Sequence, residues 1–124
     1  MDSKEFISLR KKLNKTQKEM SVLLGTSLKA IHSYEQGWRN VPIHAERQLY
    51  YLVSRINAAK EKQKPCWTIN KCPPKKKKSC PAWEFHSGTL CWFINGTICD
   101  GTVKKNWQEK IEICKTCKAW KSLI

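Results

Sequence analysis

Seven cysteines are the residues with the richest potential chemistry in this 124-residue chain. They are Cys66, Cys72, Cys80, Cys91, Cys99, Cys114 and Cys117. An odd number would leave one thiol outside any disulfide framework, and the polar start of the chain is unlike a secretory signal, so disulfides are disfavoured. Metal binding is favoured, because thiolates are soft ligands and Cys114-x-x-Cys117 has the usual chelating spacing.

The cysteine pattern leaves two cofactors open. Cys72 and Cys80 each precede a proline, as at ferredoxin ligands, and four cysteines would hold a [4Fe–4S] cluster. Alternatively, seven cysteines with His86 as an optional eighth ligand would complete two tetrahedral zinc sites. Tryptophans follow Cys66 and Cys91 and would shield a cluster from water. We expect an iron–sulfur cluster, with zinc as the alternative.

Residues 65–120 resemble the two-CW cysteine-rich domain of anaerobic bacteria. The resemblance rests on Cys66-Trp67, Cys91-Trp92, the segments CPAWEFHSG and CWFINGTIC, and the final CxxC motif. That family appears fused to signalling and regulatory modules, so the resemblance implies a sensory or structural accessory, and its anaerobic context favours iron–sulfur. We do not expect an enzyme: no Ser-His-Asp set, paired carboxylates or phosphate loop is recognisable, and Cys114 and Cys117 lack the βαβ context of thiol oxidoreductases.

A second signal lies in residues 16–42, TQKEMSVLLGTSLKAIHSYEQGWRNVP, which predict two short helices joined by a glycine turn. Helix 17–24 would be capped by Thr16 with Glu19, and helix 28–36 would be capped by Ser27 and closed by Gly37. The apolar residues expected between the helices are Met20, Leu23, Leu24, Ile31 and Tyr34. The outer side of the second helix then presents short or hydrogen-bonding side chains that suit the major groove of DNA. They are Leu28, Lys29, His32 and Ser33.

Residues 6–58 resemble the lambda-repressor-like helix-turn-helix of the Cro/CI (XRE) type. The carrying residues are Thr16-Gln17, Ser21, Leu24-Gly25, Ser27, Ile31, Glu35, Gly37 and Asn40-Val41-Pro42; the family usually has alanine at Ser21 and commonly a hydrophobe at Thr26. The resemblance implies that Gln17 bonds a phosphate, that the four outer residues face base edges, and that Arg39 and Asn40 grip the backbone. Ser27 joins these DNA-binding candidates. The alternative is a helical pair used only for protein contacts.

Charge favours a polyanionic partner. The formal net charge is +14, with 11 basic and 5 acidic residues in 1–60 and 13 and 5 in 61–124. The lysine run 75–78 is either a solvated loop or an added phosphate contact. No stretch approaches the roughly 18 apolar residues of a membrane span. We expect a cytoplasmic protein that binds double-stranded DNA as a homodimer, as proteins of this fold usually do.

The predicted organisation is a helix-turn-helix domain at 1–60, a linker at 61–65 and a cysteine-rich metal-binding module at 66–124. The first domain would add helices at 3–13 and 43–59, the latter with a stripe of Leu49, Leu52, Val53 and Ile56. The module would contain a hairpin turning at Asn95-Gly96 and a helix over 107–116 capped by Asn106. The fold class is therefore an all-α bundle plus a small, irregular, metal-stabilised α+β module.

These expectations combine into two functions. The first is a sequence-specific DNA-binding transcriptional regulator whose cysteine module senses redox state, oxygen or metal. The second is a DNA-binding protein whose module is only a zinc-stabilised scaffold or partner-docking surface.

Overall fold

Side-chain caps mark the starts of the first three helices, at Asp2, Thr16 and Ser27. The structure, a computed structural model, describes residues 1–60, 63–99 and 102–124. Its first four helices are α1 Ser3–Lys12, α2 Gln17–Leu23, α3 Leu28–Gln36 and α4 Ile43–Lys60. The Thr16 hydroxyl accepts from the Glu19 N–H at 3.1 Å, and the Glu19 carboxylate accepts from the Thr16 N–H at 3.1 Å. This reciprocal pair confirms the predicted capping box, because it satisfies two otherwise unpaired donors.

The turn between α2 and α3 follows its predicted chemistry. Gly25 has a φ of 64° and Gly37 a φ of 77°, both in the left-handed region that glycine adopts without strain. The Ser27 hydroxyl accepts from the Ala30 N–H at 3.0 Å, which caps α3. The predicted helix 28–36 is confirmed, and the predicted helix 17–24 ends one residue earlier, at Leu23.

The core of the first four helices forms where α1 and α2 pack against α3. The Phe6 and Tyr34 rings meet edge to face with centroids 5.7 Å apart. The fully buried side chains are Phe6, Met20, Ile31, Leu49, Tyr50, Val53 and Ser54. The prediction that Leu23 points inward is wrong, because this last residue of α2 is 45% exposed.

The buried face of α4 differs from its predicted stripe. The buried positions are Ala45, Glu46, Leu49, Tyr50, Val53 and Ser54. At about 100° per residue Ile56 falls between Ala45 and Leu49 on the buried side of α4, but it is the last residue of the first unit and is 43% exposed. The inward placement predicted for Ile56 is therefore wrong.

Two polar contacts tie the outer helices to this core. Arg10 on α1 donates to both carboxylate oxygens of Glu35 on α3, at 2.8 to 3.2 Å, and to the Lys15 carbonyl at 2.9 Å. The Tyr50 hydroxyl on α4 donates to Glu5 on α1 at 2.6 Å. Burial, followed by this hydrogen bond, raises the pKa of the Tyr50 phenol above its ordinary range. Both contacts therefore join elements that are distant in sequence.

The chain divides into two compact units, Met1–Ile56 and Asn57–Ile124. The last turn of α4 belongs to the second unit, where the Asn57 amide donates to the Leu123 carbonyl at 2.9 Å. Of the predicted linker 61–65, residues 61 and 62 lie outside the described part of the chain. The described elements that follow are α5 Cys66–Ile69, α6 Pro74–Ser79, α7 Pro81–Glu84, a 3-10 helix Cys91–Phe93, strands β1 Ile98–Cys99 and β2 Thr102–Val103, and helices α8 Trp107–Thr116 and α9 Lys118–Leu123.

The predicted hairpin at Asn95-Gly96 is wrong. The residues expected to form its first strand make a 3-10 turn, in which the Phe93 N–H donates to the Leu90 carbonyl. Gly96 has a positive φ but Asn95 does not, whereas the expected type I′ turn needs both. The antiparallel pair lies later, with Ile98 opposite Val103.

A tryptophan cluster organises the second unit. Trp92 is almost fully buried and meets the edges of Trp120 and Trp107 at centroid distances of 5.9 and 6.3 Å. Helix α8 is confirmed at its predicted bounds, and the Asn106 side chain accepts from the Glu109 N–H at 3.0 Å as its cap. The described chain is thus mostly helical. Across those residues, no helix has the length and apolar character needed to cross a membrane.

Candidate functional site

The outer side of α3 exposes three of the four predicted base-facing residues. Leu28, Lys29 and His32 are exposed, and Gln36 continues their row one turn further along. The predicted exposure of Ser33 is wrong: its side chain is buried, and its hydroxyl donates back to the Lys29 carbonyl at 3.0 Å. Ser33 follows the buried Ala30 by three residues, so the two side chains share one side of α3, at the edge of its buried face.

The segment after α3 extends this exposed surface. Trp38 is 70% exposed, and its ring meets the His32 imidazole edge to face at 5.4 Å. The exposed Arg39 guanidinium lies over the Tyr34 ring, 5.6 Å from its centroid. Asn40 is exposed as well. Gln36 and Trp38 were not among the residues predicted from the sequence. The position of Trp38 directly after the glycine C-cap of α3 could have indicated an exposed aromatic side chain beside this helix.

The two remaining DNA-binding candidates lie at helix starts. Gln17 is the first residue of α2 and is half-buried. Ser27 is exposed, but its oxygen already accepts the α3 cap hydrogen bond from Ala30. Each of the eight candidates belongs to the first unit, and Ser33 is the one whose side chain faces inward.

Six of the seven cysteines line one cavity of about 430 Å³ in the second unit. They are Cys66, Cys72, Cys80, Cys91, Cys114 and Cys117. Cys99 ends β1, and its side chain lies outside the described part of the structure. Four tryptophans complete the apolar wall: Trp67, Trp83, Trp92 and Trp120. The cavity therefore gathers cysteines that are up to 51 positions apart in sequence.

A close backbone approach joins the two Cys-Trp segments. The Cys66 N–H donates to the Gly88 carbonyl at 2.8 Å. A Cβ atom at Gly88 would lie 2.4 Å from the Pro65 Cβ and 2.7 Å from the Trp67 ring, so a larger residue does not fit there. This approach places Cys66 near the buried Cys91, only three residues after Gly88.

Hydrogen bonds and charge act on the cavity sulfurs. A hydrogen bond with the Cys91 thiol lowers the pKa of Cys66 below its ordinary value, with smaller contributions from backbone N–H groups and the Lys110 ammonium, while burial opposes the change. The Asn70 amide donates to the Cys117 sulfur at 3.3 Å, and the Ile98 N–H donates to the Cys80 sulfur at 3.4 Å. The two N–H groups therefore place hydrogen-bond donors on two of the six cavity sulfurs.

Three lysines near the cavity were not predicted as site residues. Lys76 and Lys77 line it, and the Lys77 ammonium lies 4.4 Å from the Trp83 ring centroid. Their run forms helix α6 rather than the predicted loop, with Pro74 at its first position. Lys110 is only 4% exposed, and its ammonium donates to the hydroxyl of Thr97, which lines the cavity. The sequence feature that could have indicated Lys110 is its position four residues before Cys114, on the same face of α8.

The donor set fits a soft metal but is not arranged around a single ion. In the ranges described, no group of three or more His, Cys, Asp or Glu side chains converges closely enough to hold one metal ion. The six sulfurs instead line the wall of the cavity. His86 is exposed and is not among the cavity-lining residues, so the structure does not bring this optional ligand to the cysteines.

Comparisons of the chain with known protein families, with curated proteins and with solved structures found no match.

Proposed function

We propose that this protein is a sequence-specific DNA-binding transcriptional regulator, and that its cysteine cavity holds a metal cofactor. The surface of α3 and the segment after it is the observation that carries the DNA-binding part. It combines cationic, hydrogen-bonding and apolar side chains, the three kinds that read base edges and grip phosphates. The net charge of +14 adds a sequence-independent attraction to DNA.

The preorganisation of this surface supports the proposal. The Arg10–Glu35 ion pair holds α3 against α1, the Tyr34 ring positions Arg39, and the Trp38 ring buttresses His32. Leu28 is about half exposed and would meet a thymine methyl group, while Lys29 would donate to a guanine edge. A homodimer would place two such surfaces about 34–36 Å apart on one face of the duplex.

The cysteine cavity supports the cofactor part. Thiolates there would ligate iron or zinc, and an iron–sulfur cluster would supply a change of charge with redox state. The chain's own residues would hold the cofactor through sulfur, exclude water with indole rings and donate N–H groups to the sulfurs. A zinc-stabilised scaffold without sensing is the alternative function.

The test begins by selecting preferred sites from random duplex DNA with the full chain. Binding of Lys29→Ala, His32→Ala and Arg39→Ala to the selected site and to random DNA is then measured at fixed salt. We expect the first two to lose discrimination, by about 1–3 kcal/mol per good base contact. Arg39→Ala should weaken both DNAs by a similar factor, because phosphate contacts are sequence-independent.

Lys4→Ala is the matched control, since Lys4 is an exposed lysine of α1 outside this surface. It should weaken binding only slightly through net charge. Equal losses on selected and random DNA for all four variants would contradict the assignment of α3 as the recognition helix. Absence of any DNA binding at low salt would overturn the proposal itself.

A further inference from the structure

The charged side chains among the described lining residues of the cavity are cationic. Its titratable lining residues are six cysteines and two lysines, and no carboxylate lies among the described lining residues. Thiols alone are neutral, so the half-buried Lys76 and Lys77 give the cavity wall a positive charge that would attract thiolates or an anionic ligand. Hard cations prefer carboxylate oxygens, whereas soft metals select thiolates.

Lys110 adds a buried positive charge that contacts Thr97 of the cavity wall. The Lys110 side chain is buried, and its ammonium donates a hydrogen bond to the Thr97 hydroxyl. That hydroxyl is neutral and is itself buried at the cavity wall. Within the described ranges, no carboxylate lies at ion-pairing distance from the Lys110 ammonium. A buried ammonium is costly unless an anion compensates it. The cavity sulfurs are candidates, because Thr97 lines the same cavity and the Lys110 charge acts on Cys66.

The arrangement of the sulfurs favours a polynuclear ligand over one ion. Six sulfurs border one space of about 430 Å³, more donors than the four that a single tetrahedral zinc ion takes. N–H groups also point at two of these sulfurs, from Asn70 to Cys117 and from Ile98 to Cys80. Net charge and hydrogen bonds to sulfur are the two features by which proteins tune iron–sulfur clusters.

We propose that the cavity holds a thiolate-ligated iron–sulfur cluster and that Lys110, fixed by Thr97, is its buried counter-cation. This deepens the proposed function and rests on its cofactor part. The cluster with its thiolates is an anion, and its reduced form carries one more negative charge. A fixed cation beside it therefore stabilises the bound cluster and favours the reduced state. Lys110 is a positioning residue and does not itself ligate metal.

The experiment uses the full chain, reconstituted anaerobically with ferrous and ferric iron and sulfide or, in parallel, with zinc, and no DNA is present. Iron and sulfide content, visible absorption, the midpoint potential and the rate of iron loss to a chelator are measured. We expect iron and sulfide uptake in the wild type. Lys110→Met should lose iron about 10–100-fold more readily and show a lower midpoint potential, while Lys110→Arg should restore both.

Lys118→Met is the control, because Lys118 is an exposed lysine of α9, and it should match the wild type. If Lys110→Met does not fold, Thr97→Val gives the same test by removing the hydroxyl that holds the ammonium, and it should lower the potential. Zinc uptake without iron and sulfide would overturn the cluster assignment. A Lys110→Met or Thr97→Val cluster with wild-type potential and retention would overturn the role of Lys110. Neither result depends on DNA, so a failure of DNA binding would be recognised separately.

Discussion

At the scale of single residues, the ion pair between Arg10 and Glu35 stands out because both partners are largely removed from water. The side chain of Glu35 is 5% exposed and that of Arg10 is 16% exposed. Arg10 satisfies both carboxylate oxygens, and its remaining guanidinium nitrogen donates to the Lys15 carbonyl. A lysine could not reproduce this fork of donors. The pair therefore holds the proposed recognition helix against α1.

Replacement of Arg10 by methionine tests this contact. Arg10→Met leaves the buried carboxylate of Glu35 without its partner and should lower the free energy of unfolding by about 3 kcal/mol. Lys15→Met is the matched control, since it removes the ion pair with Glu19, in which both side chains are exposed, and should change stability little. Chemical denaturation of the two variants measures the difference. Equal stability of both would contradict a structural role for the Arg10–Glu35 pair.

At the scale of elements, α2 depends on its N-terminal capping box. This helix has seven residues, too few to be stable without caps and packing. The hydrogen bond from the Thr16 backbone N–H, with a further one from its side chain, lowers the pKa of the Glu19 carboxyl below its ordinary value of 4.5. A lowered folded-state pKa means that ionised Glu19 stabilises α2 above pH 4.5 and that this contribution disappears as the pH falls through the lowered pKa.

A substitution at the cap tests this pH dependence. Thr16→Ala removes the hydroxyl that accepts from Glu19 and should destabilise the first unit by about 1 kcal/mol at neutral pH. The pKa of Glu19, followed by carboxyl chemical shifts, should rise towards 4.5. Thr26→Ala, in the turn after α2, should leave that pKa unchanged. A Glu19 pKa unaffected by Thr16→Ala would show that the Thr16 side chain does not contribute to lowering it.

At the scale of the whole molecule, the two units have different spectroscopic reporters. Of the six tryptophans, Trp38 lies in Met1–Ile56 and the other five lie in Asn57–Ile124. Trp38 is highly exposed, so its replacement by phenylalanine should be tolerated. In Trp38→Phe, indole fluorescence reports the second unit alone, while far-ultraviolet circular dichroism reports the helices of both.

Removal of the proposed cofactor should give the two units separate thermal unfolding transitions. In so small a module, thiolate–metal bonds would supply much of the folding free energy. In Trp38→Phe, chelation should therefore lower the temperature at which fluorescence reports unfolding. A second, helical transition from residues 1–56 should remain, because the core around Phe6, Ile31 and Leu49 contains no cysteine. One shared transition, shifted equally in both signals, would contradict this independence.

What the sequence determined by itself is the placement of most helices. Thr16, Ser27 and Asn106 each accept a hydrogen bond from an N–H three residues later, and these contacts need no distant partner. For that reason α2, α3 and α8 could be placed to within a residue. The sequence also showed a cysteine-rich second half, since all seven cysteines lie between Cys66 and Cys117.

Tertiary packing decided which side chains meet. Ser33 faces inward and Leu23 outward because burial depends on where α1 and α2 contact α3. The local sequence pattern does not predict those contacts. The expected Asn95-Gly96 hairpin gave way to a 3-10 turn that buries Trp92 among two other indoles. Only the fold brought six sulfurs around one cavity and joined Lys110 to Thr97 by a hydrogen bond. It also left His86 exposed. Sequence spacing encodes local hydrogen bonds, whereas such sites depend on which distant surfaces exclude water together.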